Sequence, residues 1–324
     1  MVKSHRREAS VASAIAALAF VLAVAAPGYF SVENLSDLFL ANLPVLPVAI
    51  GMTLVVVTGE IDISVGSTFA ICGVAAGILS KSGAPVWLAG AAACLLGAVF
   101  GSLNGALVAY LGIPSIVVTL ATMTALRDGL RWTTEGAWVQ DLPPAFQWLG
   151  LTQGAFPVVA TAVTAVLTAA FAWGLRHVAA GRAIYATGSN PGAARLAGLN
   201  TSAVKWIVFS VLGTFTGLAA MLNAVRFNQI PSNAGSGLEM KVIASVVVGG
   251  ASVAGGTGSV IGTVLGVVLL ATIGPALTFL GVNAYWERAI QGGIILVAIA
   301  ADGIRHPAYR RLVSASGTRE LSRP

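Results

Sequence analysis

Apolar stretches long enough to cross a lipid bilayer follow one another along almost the whole chain. Of the 324 residues, 56% are hydrophobic and 9% are charged, and the mean hydropathy is +0.87. Because soluble domains contain about 25% charged residues, a soluble globular fold is excluded. The stretches lack the alternation of a barrel strand, so only helices can satisfy their backbone polar groups inside hydrocarbon. The sequence predicts an all-α, polytopic membrane protein with one transmembrane domain over 1–324.

About ten transmembrane helices are predicted, since roughly 20 apolar residues cross a bilayer. The predicted segments are 11–27, 41–58, 64–80, 86–109, 115–130, 156–175, 206–225, 239–254, 259–280 and 286–301. Residues 3–27 also fit a signal peptide, because a basic start precedes an apolar run and an Ala-Ala-Pro end. We expect this segment to be retained, since ten spans then leave both termini on the same side.

The polar stretch 177–205 is the one long interruption of the apolar pattern. If the N-terminus is cytoplasmic, ten spans place this loop and the tail 303–324 in the cytoplasm as well. These three regions and their edges hold 12 of the 18 basic residues, namely Lys3, Arg6, Arg7, Arg176, Arg182, Arg195, Lys205, Arg305, Arg310, Arg311, Arg319 and Arg323. The distribution obeys the positive-inside rule and predicts cytoplasmic termini.

Several chemistries have no counterpart in the sequence. The net charge of +6 is spread over short loops without a nucleic-acid motif, so no nucleic-acid partner is expected. Cys72 and Cys94 lack metal-ligand spacing and are expected to be packed thiols. There is no GxxxxGK[ST] loop, so ATP, if it is used, must bind to another chain. We therefore expect neither catalysis, a metal site nor a cofactor in this chain.

Glycines recur at four-residue intervals on several predicted helices. They are Gly97, Gly101 and Gly105; Gly258, Gly262 and Gly266; and Gly213 and Gly217. Glycine at this spacing lets two helix backbones approach closely. The ladders predict a compact bundle and carry no information about a solute.

Polar side chains inside apolar regions are candidates for a solute pathway or a helix interface. Glu60 and Asp62 fit either a solvated turn that caps the next helix or an interface or pathway in which they pair with a cation such as Lys241. Asn104 and Thr119 fit either structural hydrogen bonds or a sugar pathway. Glu239 stands two residues before Lys241 at an outer helix start, where it complements the helix dipole.

These motifs, taken in order, resemble those of a known transporter family. They are Gly59–Ser67, Asn104-Gly105, Ile113–Leu120, Gly181-Arg182 to Gly198, Gly237–Lys241, and Val248-Gly249-Gly250 to Ser259. The run is similar to the permease subunits of bacterial ABC importers for ribose-type monosaccharides, and within them to autoinducer-2 and rhamnose permeases. The resemblance covers almost the whole chain.

The resemblance implies a bacterial inner-membrane subunit that works by ATP-driven alternating access. Its implied partners are ABC ATPase subunits that bind ATP and Mg, a second permease copy or a paralogue, a periplasmic sugar-binding protein, the membrane lipid and a small sugar solute. The solute and the choice between a homodimer and a heterodimer stay open. The alternative hypothesis is an ion-coupled secondary transporter that uses Glu60, Asp62 and Glu239.

The resemblance also assigns the stretch 177–205 as a cytoplasmic coupling loop that contacts the ATPase. Its predicted contact residues are Gly181, Arg182, Asn190, Ala193, Ala194, Arg195 and Gly198. Asn190-Pro191 predicts a helix start and Gly198 a helix stop. The alanines would fit a groove, and the arginines would pair with acids on the partner. The alternative is an ordinary solvated loop.

Overall fold

The computed structural model describes residues 2–283 and 285–305, and the predicted tail 303–324 therefore lies outside the described residues from position 306 onward. The described chain folds into helices α1 (Val2–Ala25), α2 (Val32–Asn42), α3 (Val45–Val57), α4 (Val65–Lys81), α5 (Val86–Ala109), α6 (Ser115–Thr134), α7 (Ala155–His177), α8 (Ala179–Ser189), α9 (Pro191–Leu196), α10 (Thr201–Ala224), α11 (Leu238–Val248), α12 (Val260–Phe279) and α13 (Trp286–Arg305). Extended pairing among these residues is limited to one antiparallel bridge between Val139 and Ile230. The predicted all-α fold is confirmed.

Each of the ten predicted segments overlaps one helix, but fewer helices have the length and apolar character of a full span. Within the described residues these are α1, α5, α7, α10 and α12, with a sixth if the pair α2 and α3, bent by 43°, crosses as one unit. The other four segments coincide with α4 and α11, which have 17 and 11 residues, and with α6 and α13, which carry charged residues. By length and composition alone, the described residues thus hold five or six candidate spans, which agrees with a polytopic membrane protein.

The glycine ladders bring helix backbones into contact, as predicted. A Cβ on Gly97 or Gly101 of α5 would overlap the carbonyl oxygen of Gly213 or Phe209 on α10, and a Cβ on Gly217 would overlap that of Ala93. On α12, Gly262 and Gly266 lie in the same way against carbonyl oxygens of Gly249 and Ser245. Gly258 precedes α12 and packs in a loop against Ala251 and Val57 instead of extending the ladder.

The core lies around α3, of which every residue except Leu46 is buried. Helix α3 is flanked by α10, α11 and α12. Thr53 of α3 and Thr263 of α12 share a hydrogen bond of 2.7 Å between their hydroxyl groups, so these two polar groups in the core are satisfied. Helices α3 and α10 run antiparallel through this core. The two sites described next lie at the two ends of this helix pair.

Candidate functional site

The molecule has a large cavity at one end of α10 and a small pocket at the other. The large cavity, of about 1010 Å³, lies where α10 ends and α3, α11 and α13 begin. The small pocket, of about 200 Å³, lies where α10 begins and between the end of α5 and the start of α6. With 24 residues in α10, the two are separated by roughly 36 Å of helix. Candidate residues from the sequence divide between these two ends.

Charged side chains of both signs line the large cavity. They are Arg127, Glu239, Lys241, Glu287 and Arg288. Glu239 accepts a hydrogen bond of 3.2 Å from the Gly237 backbone through Oε1, whereas its Oε2 is buried and has no hydrogen-bond partner among the described residues. Arg127 donates to the Ser236 hydroxyl, and Gln291 donates to Glu287 at 3.0 Å. The cavity therefore offers donors and acceptors side by side.

Gly66 of α4 makes room for the Glu239 carboxylate. A Cβ at Gly66 would overlap Glu239 Oε2 and would lie 2.5 Å from the Gly235 carbonyl oxygen. Gly235 and Gly237 both have positive φ, +71° and +88°, which glycine adopts without strain. The loop before α11 is thus shaped by glycines that press Glu239 onto α4.

Two cations hold the bend between α2 and α3 against the same cavity. Lys241 Nζ donates to Asn42 Oδ1 at 2.6 Å, and Arg226 donates to the Leu40 carbonyl oxygen at 2.8 Å. Burial lowers the pKa of Arg226, and the Asp37 charge opposes that shift. The predicted pairing of Lys241 with Glu60 or Asp62 is wrong, because Lys241 starts α11 at the cavity whereas both acids follow α3 at its far end.

At the opposite end, Glu60 pairs with Lys205 of α10. The two side chains are 13% and 20% exposed, so the ion pair is largely shielded from water. Arg195 lines the same small pocket and donates through Nε to Thr201 at 2.9 Å. The partner of Glu60 comes from a position 145 residues later in the chain, and no sequence pattern connects the two.

Asp62, Asn104 and Thr119 belong to a buried helix interface and do not line the large cavity. Asp62 Oδ1 accepts from the backbone N–H and the hydroxyl of Ser64, at 2.8 and 2.6 Å. Asn104 of α5 donates to Ser64, which directly precedes α4, and accepts from Thr122 of α6. These two hydrogen bonds join the three helices. Thr119 donates to the Ser115 carbonyl oxygen within α6. The solvated-turn interpretation of Asp62 is therefore wrong, since this carboxylate is buried and tied to the start of α4.

The short helix predicted within 177–205 is present as α9. Asn190 caps it by accepting from the Ala193 N–H at 3.0 Å, and Pro191 occupies its first turn. Gly198 has a φ of +84° and ends the helix, with Leu199 N–H donating to the Ala194 carbonyl oxygen. These are the start and stop signals that the sequence predicted. The role of α9 as an ATPase contact stays a prediction.

The exposed side of α9 differs from the predicted one. Ala194 is 5% exposed and faces the rest of the chain, so its assignment to the docking surface is wrong. Ala193 and Arg195 are exposed, and Leu196 is 92% exposed. Leu196 was missed by sequence reasoning, although a large apolar residue within a polar loop is a usable signal for a protein contact.

Helix α8 joins α9 to the core through close backbone contacts. A Cβ at Gly188 would overlap the Val57 carbonyl oxygen at the end of α3, and that oxygen accepts from Gly256 N–H at 2.8 Å. Tyr185 donates to the Gly258 carbonyl oxygen at 2.7 Å, and burial raises the pKa of its hydroxyl, so it stays a donor. We call this contact of α8 with Val57 and the 256–258 loop the α8 joint.

Gly181 and Arg182, also predicted as contact residues, serve the turn between α7 and α8. A Cβ on Gly181 would lie 2.5 and 2.6 Å from the carbonyl oxygens of Leu175 and Gly174. Arg182 is exposed and donates to the His177 carbonyl oxygen at 3.1 Å. Gly181 is thus required for close packing, while the role of the exposed Arg182 as an ATPase contact stays a prediction.

Comparisons with known proteins identify the family. Residues 34–299 match the family described as branched-chain amino acid transport system / permease component. The chain belongs to this permease family. It is 38% identical over 324 residues to the autoinducer 2 import system permease protein LsrC of Salmonella typhi, covering 96% of this chain and 92% of that protein.

A second relative gives the same result. The LsrC protein of Escherichia coli (strain K12 / DH10B) is 38% identical over 301 residues, covering 91% of this chain and 88% of that protein. No solved structure matches the chain. The resemblance drawn from the motifs is confirmed: the protein is an inner-membrane permease of the ABC importer type and a transporter subunit, not an enzyme.

Proposed function

We propose that this permease imports a small sugar or sugar-like solute, of the rhamnose or autoinducer-2 type, into the cytoplasm by ATP-driven alternating access. ATP and Mg²⁺ would be bound and ATP hydrolysed by separate ATPase subunits. The other partners would be a second permease copy or a paralogue, and a periplasmic sugar-binding protein that delivers the solute. The identity of 38% with two autoinducer 2 import permeases supports this solute class.

The observation that carries the ATP-driven mechanism is the α8 joint together with the exposed end of α9. Leu196 and Arg195 face outward, where a partner can reach them, while Gly188 lies directly on the end of α3. A partner that pushes α9 would displace α8. Because Gly188 has no side chain, the backbone of α8 packs directly against the Val57 carbonyl oxygen. Motion would then pass along α3, whose other end begins at the large cavity. In this proposal the termini and α9 are cytoplasmic, as the distribution of basic residues predicts.

The test is uptake into proteoliposomes that contain the permease, its ATPase and its binding protein. We expect accumulation of labelled autoinducer 2 or L-rhamnose with ATP, and none with a non-hydrolysable ATP analogue. Uptake that needs no ATP and collapses when the proton or sodium gradient is dissipated would overturn the proposal in favour of a secondary transporter. Competition between the two labelled solutes then ranks them as substrates.

A further inference from the structure

We propose that α2 is a hinged gate beside the large cavity, which turns about Leu43 and Pro44 during transport and is held in its observed position by Arg226 and Lys241. The inference rests on the proposed function and adds to it the element that moves and the side chains that hold it. Arg226 and Lys241 are positioning residues in this account, since they act through α2.

The first argument is the difference in packing between α2 and α3. None of the 11 residues of α2, all of which the structure describes, is buried. Every residue of α3 except Leu46 is buried. Elements with few buried contacts are the ones that move at the smallest cost in free energy. Helix α3 is thus fixed in the core, while α2 can turn without breaking the core.

The second argument is the chemistry of the bend. Helices α2 and α3 meet at an angle of 43°, with the break at Leu43 and Pro44. In a continuous helix the Leu40 carbonyl oxygen would accept from the N–H of residue 44, but proline has no N–H. The Leu40 carbonyl oxygen accepts instead from Arg226 Nη1 at 2.8 Å. Pro44 therefore frees an acceptor on α2 that a side chain from elsewhere in the chain can bind and release.

The third argument is that polar contacts hold the end of α2. Asn42 Oδ1 accepts from Lys241 Nζ at 2.6 Å, and Asn42 Nδ2 donates to the Leu38 carbonyl oxygen at 2.7 Å, so this side chain links α11 to the last turn of α2. We call the contacts Lys241–Asn42 and Arg226–Leu40 the α2 clamps. Because the net contribution of one hydrogen bond to stability is small, the α2 clamps can break and re-form within a transport cycle.

Arg226 also has hydrogen-bonding capacity that the observed position of α2 does not use. Its Nε is buried and has no hydrogen-bond partner among the described residues, although buried donors in folded proteins nearly always have one. The Asp37 carboxylate of α2 interacts electrostatically with this guanidinium. A turn of α2 that brings a new acceptor to Arg226 would satisfy the unused donor.

The fourth argument is the place of the hinge. Ala41, Pro44 and Val45 line the large cavity, so a turn of α2 changes the wall of the cavity itself. Arg226 follows the end of α10, and the other end of α10 begins beside the small pocket that Arg195 lines. Helix α10 therefore connects the α9 side of the molecule to one of the α2 clamps. A displacement of α10 would reach the gate through Arg226.

The experiment locks α2 reversibly in the assembled transporter. Asn42→Cys and Lys241→Cys, in a Cys72→Ala, Cys94→Ala background, replace one clamp with two thiols that a bis-methanethiosulfonate reagent links. We expect the link to lower ATP-driven uptake of labelled autoinducer 2 or L-rhamnose at least tenfold relative to the same protein before linking. Dithiothreitol should restore the uptake. The loss of both free thiols, measured by mass spectrometry, verifies the link.

The matched control links two helices that belong to the same rigid part of the bundle. The hydroxyl oxygens of Ser102 in α5 and Ser210 in α10 lie 2.8 Å apart, and these two helices pack through glycines. We expect the Ser102→Cys, Ser210→Cys pair, in the same background and with the same reagent, to keep at least half of its uptake after linking.

The position of α2 is measured directly with spin labels. The labels are placed at Ser36→Cys in α2 and Gln140→Cys in the loop after α6, both exposed, in the same cysteine-free background. Without ATP we expect one distance between the labels, and a second distance when ATP is added to the assembled transporter. The double change Arg226→Met, Lys241→Met should give the second distance without ATP. Arg226→Lys with Lys241→Arg keeps both donors and should restore the single distance.

Three results would overturn the inference while the proposed function stands: undiminished uptake after α2 is locked, equal inhibition of the control pair, or one unchanged distance with ATP. If Arg226→Met, Lys241→Met does not fold, the locked pair and the effect of ATP on the distance decide the question with both clamps in place. Failure of the wild-type transporter to take up either solute with ATP is a failure of the proposed function instead.

Discussion

The two ends of α10 differ in the kind of contact found there, backbone against backbone at one end and side chains around a cavity at the other. At the α8 joint, backbone meets backbone: Gly188 lies on the Val57 carbonyl oxygen, and the 256–258 loop bonds to the same region. At the large cavity, long side chains on separate helices approach one another across open space, and one carboxylate oxygen is left without a partner. Backbone contacts transmit displacement because they have no rotamers to absorb it, whereas side chains around a cavity can adapt to a solute. Under the proposed function, the first end would transmit force from the ATPase and the second would contact the solute.

The strongest test of this division is Gly188→Ala. The added Cβ would overlap the Val57 carbonyl oxygen, so α8 and α3 must separate. We expect ATP-driven uptake to fall more than tenfold and the free energy of unfolding to fall by about 1–3 kcal/mol, as for other overpacked sites. The KM for solute should not change. Gly192→Ala is the control, since its Cβ would lie 3.4 Å from its nearest neighbour, Asn190 Oδ1; normal uptake in Gly188→Ala would show that the joint does not transmit motion.

Leu196→Ala probes the exposed end of the same route. Leu196 is 92% exposed, so its removal should leave the melting temperature of the permease unchanged. We expect the dissociation constant for the ATPase subunit to rise about tenfold, which corresponds to about 1.4 kcal/mol. Leu151→Ala, an exposed leucine beyond the far end of the bundle at 41% exposure, is the control. Equal effects of the two changes on ATPase binding would contradict the assignment of α9.

Lys205→Met tests whether the ion pair beside the small pocket is structural. Glu60 would be left 13% exposed without its cation, and we expect the free energy of unfolding to fall by about 3 kcal/mol. Uptake should fall only about threefold, because the α8 joint is intact. The double variant Glu60→Gln, Lys205→Met should recover most of the lost stability in a thermal unfolding measurement. A double variant as unstable as Lys205→Met would mean that the pairing itself is not the source of the effect.

The smallest effect is expected for Asp62→Asn. Asn keeps an oxygen that can accept from Ser64, so uptake should stay within twofold of wild type and the melting temperature should change little. Asp62→Ala removes the acceptor and should cost about 1–2 kcal/mol of stability, measured by thermal unfolding. A large loss of uptake in Asp62→Asn with normal stability would contradict a purely structural role and would show that Asp62 acts in transport.

Much of the fold could be predicted from local features of the sequence. Apolar runs gave ten segments that each overlap a helix, and the glycine intervals on α5 and α10 gave their close contact. Asn190, Pro191 and Gly198 gave the limits of α9, because capping and positive φ are local properties. The bend between α2 and α3 was not predicted, since an apolar run of sufficient length looks the same whether the chain is straight or turned by 43°.

The candidate site was predicted less well because its contacts join distant parts of the chain. No local feature of the sequence shows that Glu60 pairs with Lys205 rather than Lys241. Both lysines lie at the start of a predicted apolar segment, so their surroundings in the sequence look alike. The orientation of α9 was also beyond reach: six residues are too few to show a periodicity, so Ala194 was assigned to the wrong side. Arg127 and Arg288 were missed because their position beside the same cavity as Glu239 depends on how α6, α11 and α13 pack.

The glycine stripe shared by α5 and α10 also bears on how the protein is made. Helix α5 ends at Ala109 and α10 begins at Thr201, so the ribosome needs roughly 5–20 seconds to complete the stretch between them at about 5–20 residues per second. During that interval α5 has entered the bilayer without the helix whose carbonyl oxygens occupy its groove. The insertion machinery or lipid tails must cover the stripe until α10 arrives, which makes the meeting of these two helices a late and decisive event in the biogenesis of this permease.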